Sequence, residues 1–246
     1  LWRVIELEAR PGAENMAVDE AIAAGIAAGT SPPTIRFYTW KPCAVTIGYF
    51  QCLQDEVDRE ACSLKGIDVV RRRTGGGAVY HDGHGEITYS VIAPENRFSK
   101  DIRASYREIC GGIIAGLGSM GIAAEFRPIN DVTVGGRKIS GSAQTRRQGI
   151  LTQHGTVLYA IDRDTMFSVL RPSAKKLADK PAGSFKASVT CASEEGCGSI
   201  DQLYEALFAG FTDGKRWEPG QLNNAEQRAV SELMHKYNSE AWNCSR

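Results

Sequence analysis

The run Arg71-Arg72-Arg73-Thr74-Gly75-Gly76-Gly77-Ala78-Val79-Tyr80-His81-Asp82 constrains this chain more than any other stretch. Residues 67–72 predict a buried strand, which delivers the glycines to its end. Backbone without Cβ atoms can turn its N–H groups toward an anion, and the adjacent arginines supply the opposite charge. Glycines alone would more readily make a tight turn between two strands. Arg72 and the His81-Asp82 pair move the reading toward a ligand loop for a phosphate or acyl phosphate. No Gly-Lys-Ser/Thr follows and no helix is expected, so neither a Walker A loop nor a dinucleotide fingerprint fits. Arg71 and Arg73 read as solvated neighbours of Arg72, because alternate strand residues face opposite ways.

A second segment runs from Asn130-Asp131 through Gly135-Gly136-Arg137-Lys138 to Gly141-Ser142-Ala143. Gly135-Gly136 is a good turn pair, so residues 131–134 and 138–143 predict a hairpin. Lys138 follows the turn. A lysine there is usually solvent-facing, yet a compact ammonium on a long stem suits bridging a carboxylate and a phosphate. A fixed cation between them would lower the barrier as charge builds on both. Asn130 and Asp131 suit adenosine binding, or Asp131 a metal ion; a polar strand start explains them equally well.

The chain carries 29 basic and 29 acidic residues, so no bulk field favours nucleic acid or a membrane surface. No apolar run is long enough to span a bilayer, and no secretory signal opens the sequence. Seven cysteines, an odd number without any Cys-x-x-Cys pair, argue against a disulfide framework. Cys191 and Cys197 have no nearby histidine, which argues against zinc. A reduced, cytoplasmic protein is expected.

Residues 15–28 predict an amphipathic helix. Residues 34–40 and 44–50 predict strands separated by Lys41-Pro42. A short helix is expected over 55–65, a strand over 86–93, a long helix over 103–120 and a strand over 151–160. Ser199-Ile200-Asp201-Gln202 reads as a helix start, with Leu203, Leu207 and Phe211 on one face. A last helix is expected from about 225 to 237. Residues 172–198 predict an irregular, mobile connection. Strands dominate the first two thirds, which favours an α+β mixed sheet over alternating βαβ units. His154 lies in an apolar strand and by itself reads as a satisfied core residue. His81 invites the same caution, and His84 reads as exposed.

Taken together, the two segments resemble the signatures of the lipoate–protein ligase A family. Asn15-Met16-Ala17-Val18-Asp19-Glu20, Gly48-Tyr49-Phe50-Gln51 and His154-Gly155-Thr156 match as well, so the resemblance covers nearly the whole chain. It implies the biotin/lipoate ligase fold, a class II aminoacyl-tRNA synthetase-like catalytic domain over residues 1–246. It implies ATP as substrate with Mg²⁺, lipoyl-AMP as intermediate, and transfer to a lysine of an acceptor lipoyl domain or H protein. By position, Arg72, Gly77, Ala78, Val79 and Tyr80 would hold ATP, with Asn130, Asp131 and Ser142 as further nucleotide contacts. Lys138 would touch both the lipoate carboxyl and the α-phosphate. Thr74, Gly75, His81 and His154 would lie along the lipoyl group, with Met16 and Glu20 nearby.

Two departures qualify this. Many such ligases carry an additional C-terminal domain, for which nothing remains after residue 243; the resemblance therefore implies a separate accessory subunit. Relatives that transfer octanoyl groups from acyl carrier protein through a cysteine thioester share Gly141-Ser142-Ala143-Gln144-Thr145-Arg146 and Gln153-His154-Gly155 equally well. One such class places its cysteine just before the Lys138 strand, where this chain reads Arg127-Pro128-Ile129-Asn130-Asp131. Another places it about twenty residues after the His-Gly pair, where Leu170-Arg171-Pro172-Ser173 stands. With no thiol at either place, the ligase is the leading expectation and the transferase the alternative.

Overall fold

The computed structural model describes residues 1–171 and 188–246. The chain opens with β1 (Trp2–Arg10), α1 (Gly12–Ala27), β2 (Thr34–Trp40) and β3 (Ala44–Ile47). Two short helices follow, α2 (Leu53–Glu56) and α3 (Arg59–Leu64), then β4 (Asp68–Arg71), β5 (Val79–His81) and β6 (Glu86–Pro94). Next come α4 (Ile102–Ser119), β7 (Ala124–Arg127), β8 (Asp131–Val134), β9 (Arg137–Arg147), β10 (Ile150–Leu158) and α5 (Arg163–Val169). The C-terminal part holds α6 (Ile200–Thr212), β11 (Trp217–Pro219), α7 (Asn224–Tyr237) and α8 (Glu240–Asn243).

The strands build an 8-stranded mixed sheet in the order β11-β1-β2-β6-β10-β9-β8-β7, and a 3-stranded sheet in the order β4-β3-β5. This is the expected α+β architecture. β1 lies parallel to β2 and β11, and the pairs from β2 to β7 are antiparallel. Each face of the large sheet buries apolar side chains under helices. Phe37, Ile87, Tyr89 and Leu151 pack under α4 and α6 through Ile113, Leu117, Leu207 and Phe211. Ile5, Tyr38, Trp40 and Ile92 pack under α1 and α7 through Ala17, Ile22 and Val230. A third cluster joins the small sheet to α2, α3 and α5 through Val45, Ile47, Leu53, Cys62 and Val169.

The small residues of α4 have a packing reason. A Cβ on Gly116 would stand 2.6 Å from the Ala206 carbonyl oxygen, and one on Gly210 would stand 2.2 Å from that of Gly112. Helices α4 and α6 thus touch backbone to backbone, an approach only glycine permits.

Several expectations needed correction. β1 escapes period-2 reading because Trp2, Arg3, Val4 and Ile5 are buried consecutively, as in a strand covered on both sides. The single helix expected over 55–65 is two. Val57 is extended between them, its side chain 1% exposed, and bridges Leu170. The strand expected over 44–50 stops at Ile47, because Gly48 turns to pack on Gly76. Most of the expected irregular segment, residues 172–187, lies outside the described residues. Its last part pairs beside the functional strand: the Lys138 N–H donates to the Ser188 carbonyl, and the Thr190 N–H donates to the Lys138 carbonyl.

Helix α7 starts at a capping box. Asn223 accepts from the Ala225 and Glu226 N–H groups, and the Glu226 carboxylate accepts from the Asn223 N–H. Asn223→Ala removes the cap and is expected to cost about 1 kcal/mol. Urea unfolding followed by circular dichroism checks this, and an unchanged midpoint would refute it.

Candidate active site

β4 ends at Arg71, and the chain then makes the glycine turn before re-entering the small sheet as β5. Arg72, 5% exposed, spends its guanidinium on this turn. It donates to the carbonyls of Gly75 at 2.9 Å and Gly77 at 2.8 Å, to Thr46 Oγ1 at 3.1 Å and to Thr74 Oγ1 at 3.1 Å. Burial pushes its pKa down to about 10, which still leaves it cationic at neutral pH. Gly76 sits at φ 99°, and a Cβ on Gly48 would lie 2.0 Å from its carbonyl oxygen, so both positions require glycine. Among the described residues, the N–H groups of Gly75, Gly76 and Gly77 have no hydrogen-bond partner. A cation behind unpaired backbone donors makes a site for negative charge.

Arg71 is not the solvated neighbour expected from the sequence. It is 0% exposed and donates to the carbonyls of Gly48, Tyr49, Gln51, Trp242 and Asn243, tying α8 to the glycine turn. Arg73 pairs with Glu20 at 3.4 Å.

The turn opens on a cavity of about 750 Å³ with a predominantly apolar lining, a size that suits a small organic ligand. Trp40, Val79, Leu158, Ile161, Met166 and Leu170 form apolar walls. Lys138, on β9, lines it from the opposite sheet. Its Nζ lies 2.7 Å from Asp131 Oδ1, and the Lys138 side chain keeps 38% exposure. A Cβ on Gly141 would meet that Nζ at 2.5 Å, so the bare backbone there makes room for the ammonium. Asn130 donates to the Ser142 carbonyl at 2.6 Å, and Ser142 Oγ shares a hydrogen with Tyr89 at 2.8 Å.

Of the residues singled out in the sequence, Met16, Arg72, Gly77, Ala78, Val79 and Tyr80 line this cavity. So do His81, Asn130, Lys138, Ser142 and His154. Thr74, Gly75, Asp131 and Glu20 do not. Thr74 and Glu20 face a small separate recess beside Arg73. Glu20 accepts from Lys236 and Tyr237, each at 2.6 Å, so it anchors α7 to α1. Asp131 pairs with Lys138 and Arg127, and no group of three metal-ligating side chains occurs among the described residues.

Sequence reasoning missed the buried partners behind these residues. His81 stacks on Trp40 at 4.0 Å, and its ring nitrogens meet Thr46 at 2.9 Å and Glu86 at 2.7 Å. His154 Nε2 lies 2.7 Å from Thr74 Oγ1, and its Nδ1 lies 3.7 Å from Asp19 Oδ2. Asp19 in turn accepts from Arg36 at 2.9 Å and from Ser90 at 2.5 Å. The only local signal for Asp19 was its place in the Asn15-to-Glu20 match.

Burial pushes the His154 pKa below its ordinary value, and Asp19 opposes this only in part. The fold therefore favours the neutral ring. As pH falls below about 6.5 the unfolded chain takes up this proton first. Stability from His154 is full above that pH and is lost as pH drops through the lower folded value. Wild type is expected to weaken as pH falls below about 6.5, and His154→Gln to lack this part of the slope. Urea midpoints measured across that range decide it; parallel profiles would contradict the burial argument.

Residues 11–212 match the family model of the lipoyl protein ligase A/B catalytic domain. The chain belongs to that family. It is 37% identical over 269 residues to an octanoyltransferase LipM of Symbiobacterium thermophilum, covering 98% of this chain and 97% of that one. It is also 37% identical over 271 residues to an octanoyltransferase LipM of Clostridioides difficile, covering 100% of this chain and 99% of that one. Among solved structures, the bipartite lipoate protein ligase of Thermoplasma acidophilum superposes with a TM-score of 0.87 at 33% identity, covering 98% of this chain and 95% of that one.

These relatives correct the expected chemistry. Full-length likeness at 37% to octanoyltransferases overturns the ATP-dependent ligase reading, and with it ATP, Mg²⁺ and the adenylate intermediate. Arg72, Gly77, Ala78, Val79, Tyr80, Asn130, Asp131 and Ser142 thereby lose their nucleotide assignment. For Arg72 the geometry agrees, since its donors shape the turn.

Proposed function

We propose that this protein transfers an octanoyl-type acyl chain from a thioester donor on a carrier protein to the lysine amine of a lipoyl domain or H protein, without ATP. One observation carries the reading: a predominantly apolar cavity of about 750 Å³ is lined by Lys138 on one side and by the glycine turn on the other. Acyl transfer passes through a tetrahedral oxyanion. A preorganised cation and backbone N–H groups in a water-poor site stabilise that charge. Lys138 supplies the cation, held in reserve by Asp131, and the glycine turn with Arg72 behind it supplies a positive field. Trp40, Val79 and Leu158 shelter the alkyl chain, while His81 and His154, both buried and hydrogen-bonded, keep the walls in shape.

The accessory subunit expected with ligase chemistry has no part in this reading. Residues 1–246 are taken as one catalytic unit. Its free cysteines suit a reducing cytoplasmic setting, and no helix among the described residues is long and apolar enough to cross a membrane. The test mixes octanoyl-carrier protein, a lipoyl domain and the enzyme with no nucleotide present. Intact mass of the lipoyl domain should gain one octanoyl group. Acceptor that stays unmodified with donor in excess would refute the proposal.

A further inference from the structure

We infer that the hydroxyl of Thr46, activated by His81 and Glu86, carries the acyl chain between donor and acceptor, so that an oxygen ester stands in for a cysteine thioester; this rests on the transferase reading. None of the seven cysteines, all of them among the described residues, lines the cavity. Thr46, His81 and Glu86 all line it. They converge from three strands. In the register of β3 against β5, Thr46 lies opposite Val79 and Ala44 opposite His81, so Thr46 and His81 are diagonal neighbours on one face of the small sheet. Glu86 opens β6 and reaches His81 from the large sheet.

Thr46 Oγ1 lies 2.9 Å from His81 Nε2, and His81 Nδ1 lies 2.7 Å from Glu86 Oε1. The neighbours set the direction of these bonds. Trp40 Nε1 can only donate, and it meets Glu86 Oε1 at 3.0 Å, as the Thr88 hydroxyl does at 2.9 Å. That oxygen is an acceptor, so Nδ1 carries the ring proton. Nε2 then accepts from the Thr46 hydroxyl, whose oxygen receives Arg72 at 3.1 Å. A hydroxyl donating to a histidine that a buried carboxylate orients is the arrangement that activates a weak oxygen nucleophile. The Arg72 guanidinium favours the negative charge this oxygen gains. The other groups in the cavity lack such a base. Ser142 Oγ meets Tyr89 and Cys110, and Ser140 Oγ has no hydrogen-bond partner among the described residues. Lys138 is paired with Asp131, and acylation would leave it as an amide too stable to pass its chain to another amine.

Thr46 Oγ1 attacks the thioester carbonyl as its proton passes to His81 Nε2. The C–S bond breaks, and His81 returns the proton to the departing thiolate, leaving an octanoyl ester on Thr46 and a free carrier thiol. The neutral lysine amine of the acceptor then attacks the ester carbonyl, forming a C–N bond, and gives its extra proton to His81. The C–O bond breaks, His81 returns that proton to Thr46 Oγ1, and the amide leaves. Thr46 is 2% exposed and Glu86 1%, so bulk water is kept from the ester between the two steps.

Enzyme mixed with octanoyl-carrier protein alone, quenched in acid and weighed intact, should gain one octanoyl group. Peptide mapping should place it on Thr46, and it should survive neutral hydroxylamine, which strips thioesters. Thr46→Val should lose the adduct and about a thousandfold or more of transfer, whereas Thr46→Ser should keep both. Glu86→Gln should slow single-turnover acylation by about a hundredfold or more with donor binding unchanged, because Glu86 acts by orienting the base. An adduct on a cysteine, on Ser140, Ser142 or Lys138, an acceptor modified with no adduct at any stage, or full transfer by Thr46→Val would overturn the assignment and leave the transferase reading standing. An unmodified acceptor in every mixture would instead remove the transferase reading, and this inference with it.

Discussion

Lys138→Ala is expected to lower octanoyl transfer by about 10²- to 10³-fold while leaving the fold in place. The ammonium is the cation that the cavity presents from β9, and removing a preorganised oxyanion partner costs roughly 3–4 kcal/mol of barrier. Stability should hardly change. The Lys138 side chain is 38% exposed, and its pair with Asp131 is a part-exposed ion pair of the kind worth at most about 1 kcal/mol. Gly141→Ala provides an independent check of position against charge. The new methyl would meet Nζ at 2.5 Å, the far end of a flexible side chain, so the ammonium moves and the fold does not. Both variants should retain the parent melting temperature within about 3 °C and lose activity. Full transfer by Lys138→Ala would remove the lysine from the mechanism.

Asp19→Ala is expected to destabilise the protein by about 3–5 kcal/mol, the largest effect on folding foreseen for one side chain. Arg36 is 0% exposed, and Asp19 is the carboxylate that pairs with it, at 2.9 Å. Taking that carboxylate away leaves a buried guanidinium without its counter-charge, held by the neutral Asn15 alone, and also frees Ser90 and His154. For a chain of this size the melting temperature should drop by roughly 10 °C or more. Burial by itself would raise the Asp19 carboxyl, but the nearby His154 ring and the Arg36 charge outweigh it and hold the group below its ordinary value. With the folded value depressed, this contribution is complete above about pH 4 and disappears as pH falls through the folded value. Acid titration of the urea midpoint should show that slope in the parent and lack it in the variant. A variant as stable as the parent would mean that Arg36 finds another partner.

Much of the fold was legible because it is written in local periodicity. β2 was delimited at Thr34–Trp40, the hairpin turned at Gly135-Gly136, and Ser199 caps α6 as its side chain suggested. Where period 2 fails, as in the doubly covered β1, reading from sequence fails too. The site was half legible. The glycine turn was found by composition and spacing and Lys138 by the family resemblance, and they line one cavity. Their chemistry was misassigned, because a cation and a glycine turn suit any developing negative charge. A phosphate and a tetrahedral acyl oxyanion make the same demand on them. Arg72 illustrates the limit: its sequence neighbours say cation, and only its hydrogen bonds to Gly75 and Gly77 say that the cation is spent shaping the turn.

The amino-acid sequence alone determined the α+β class, the membership of the lipoyl ligase and transferase lineage, and the two segments that meet at the cavity. Those properties depend on short-range pattern and residue type. The tertiary structure decided which polar groups are satisfied and which thiols are reachable. Asp19 meets His154, Arg71 meets Asn243, and Cys110 is shut behind Ser142, each across a long stretch of chain. Such pairings are set by how sheets and helices stack to bury apolar surface, and burial is what shifts the proton affinities and closes off the cysteines.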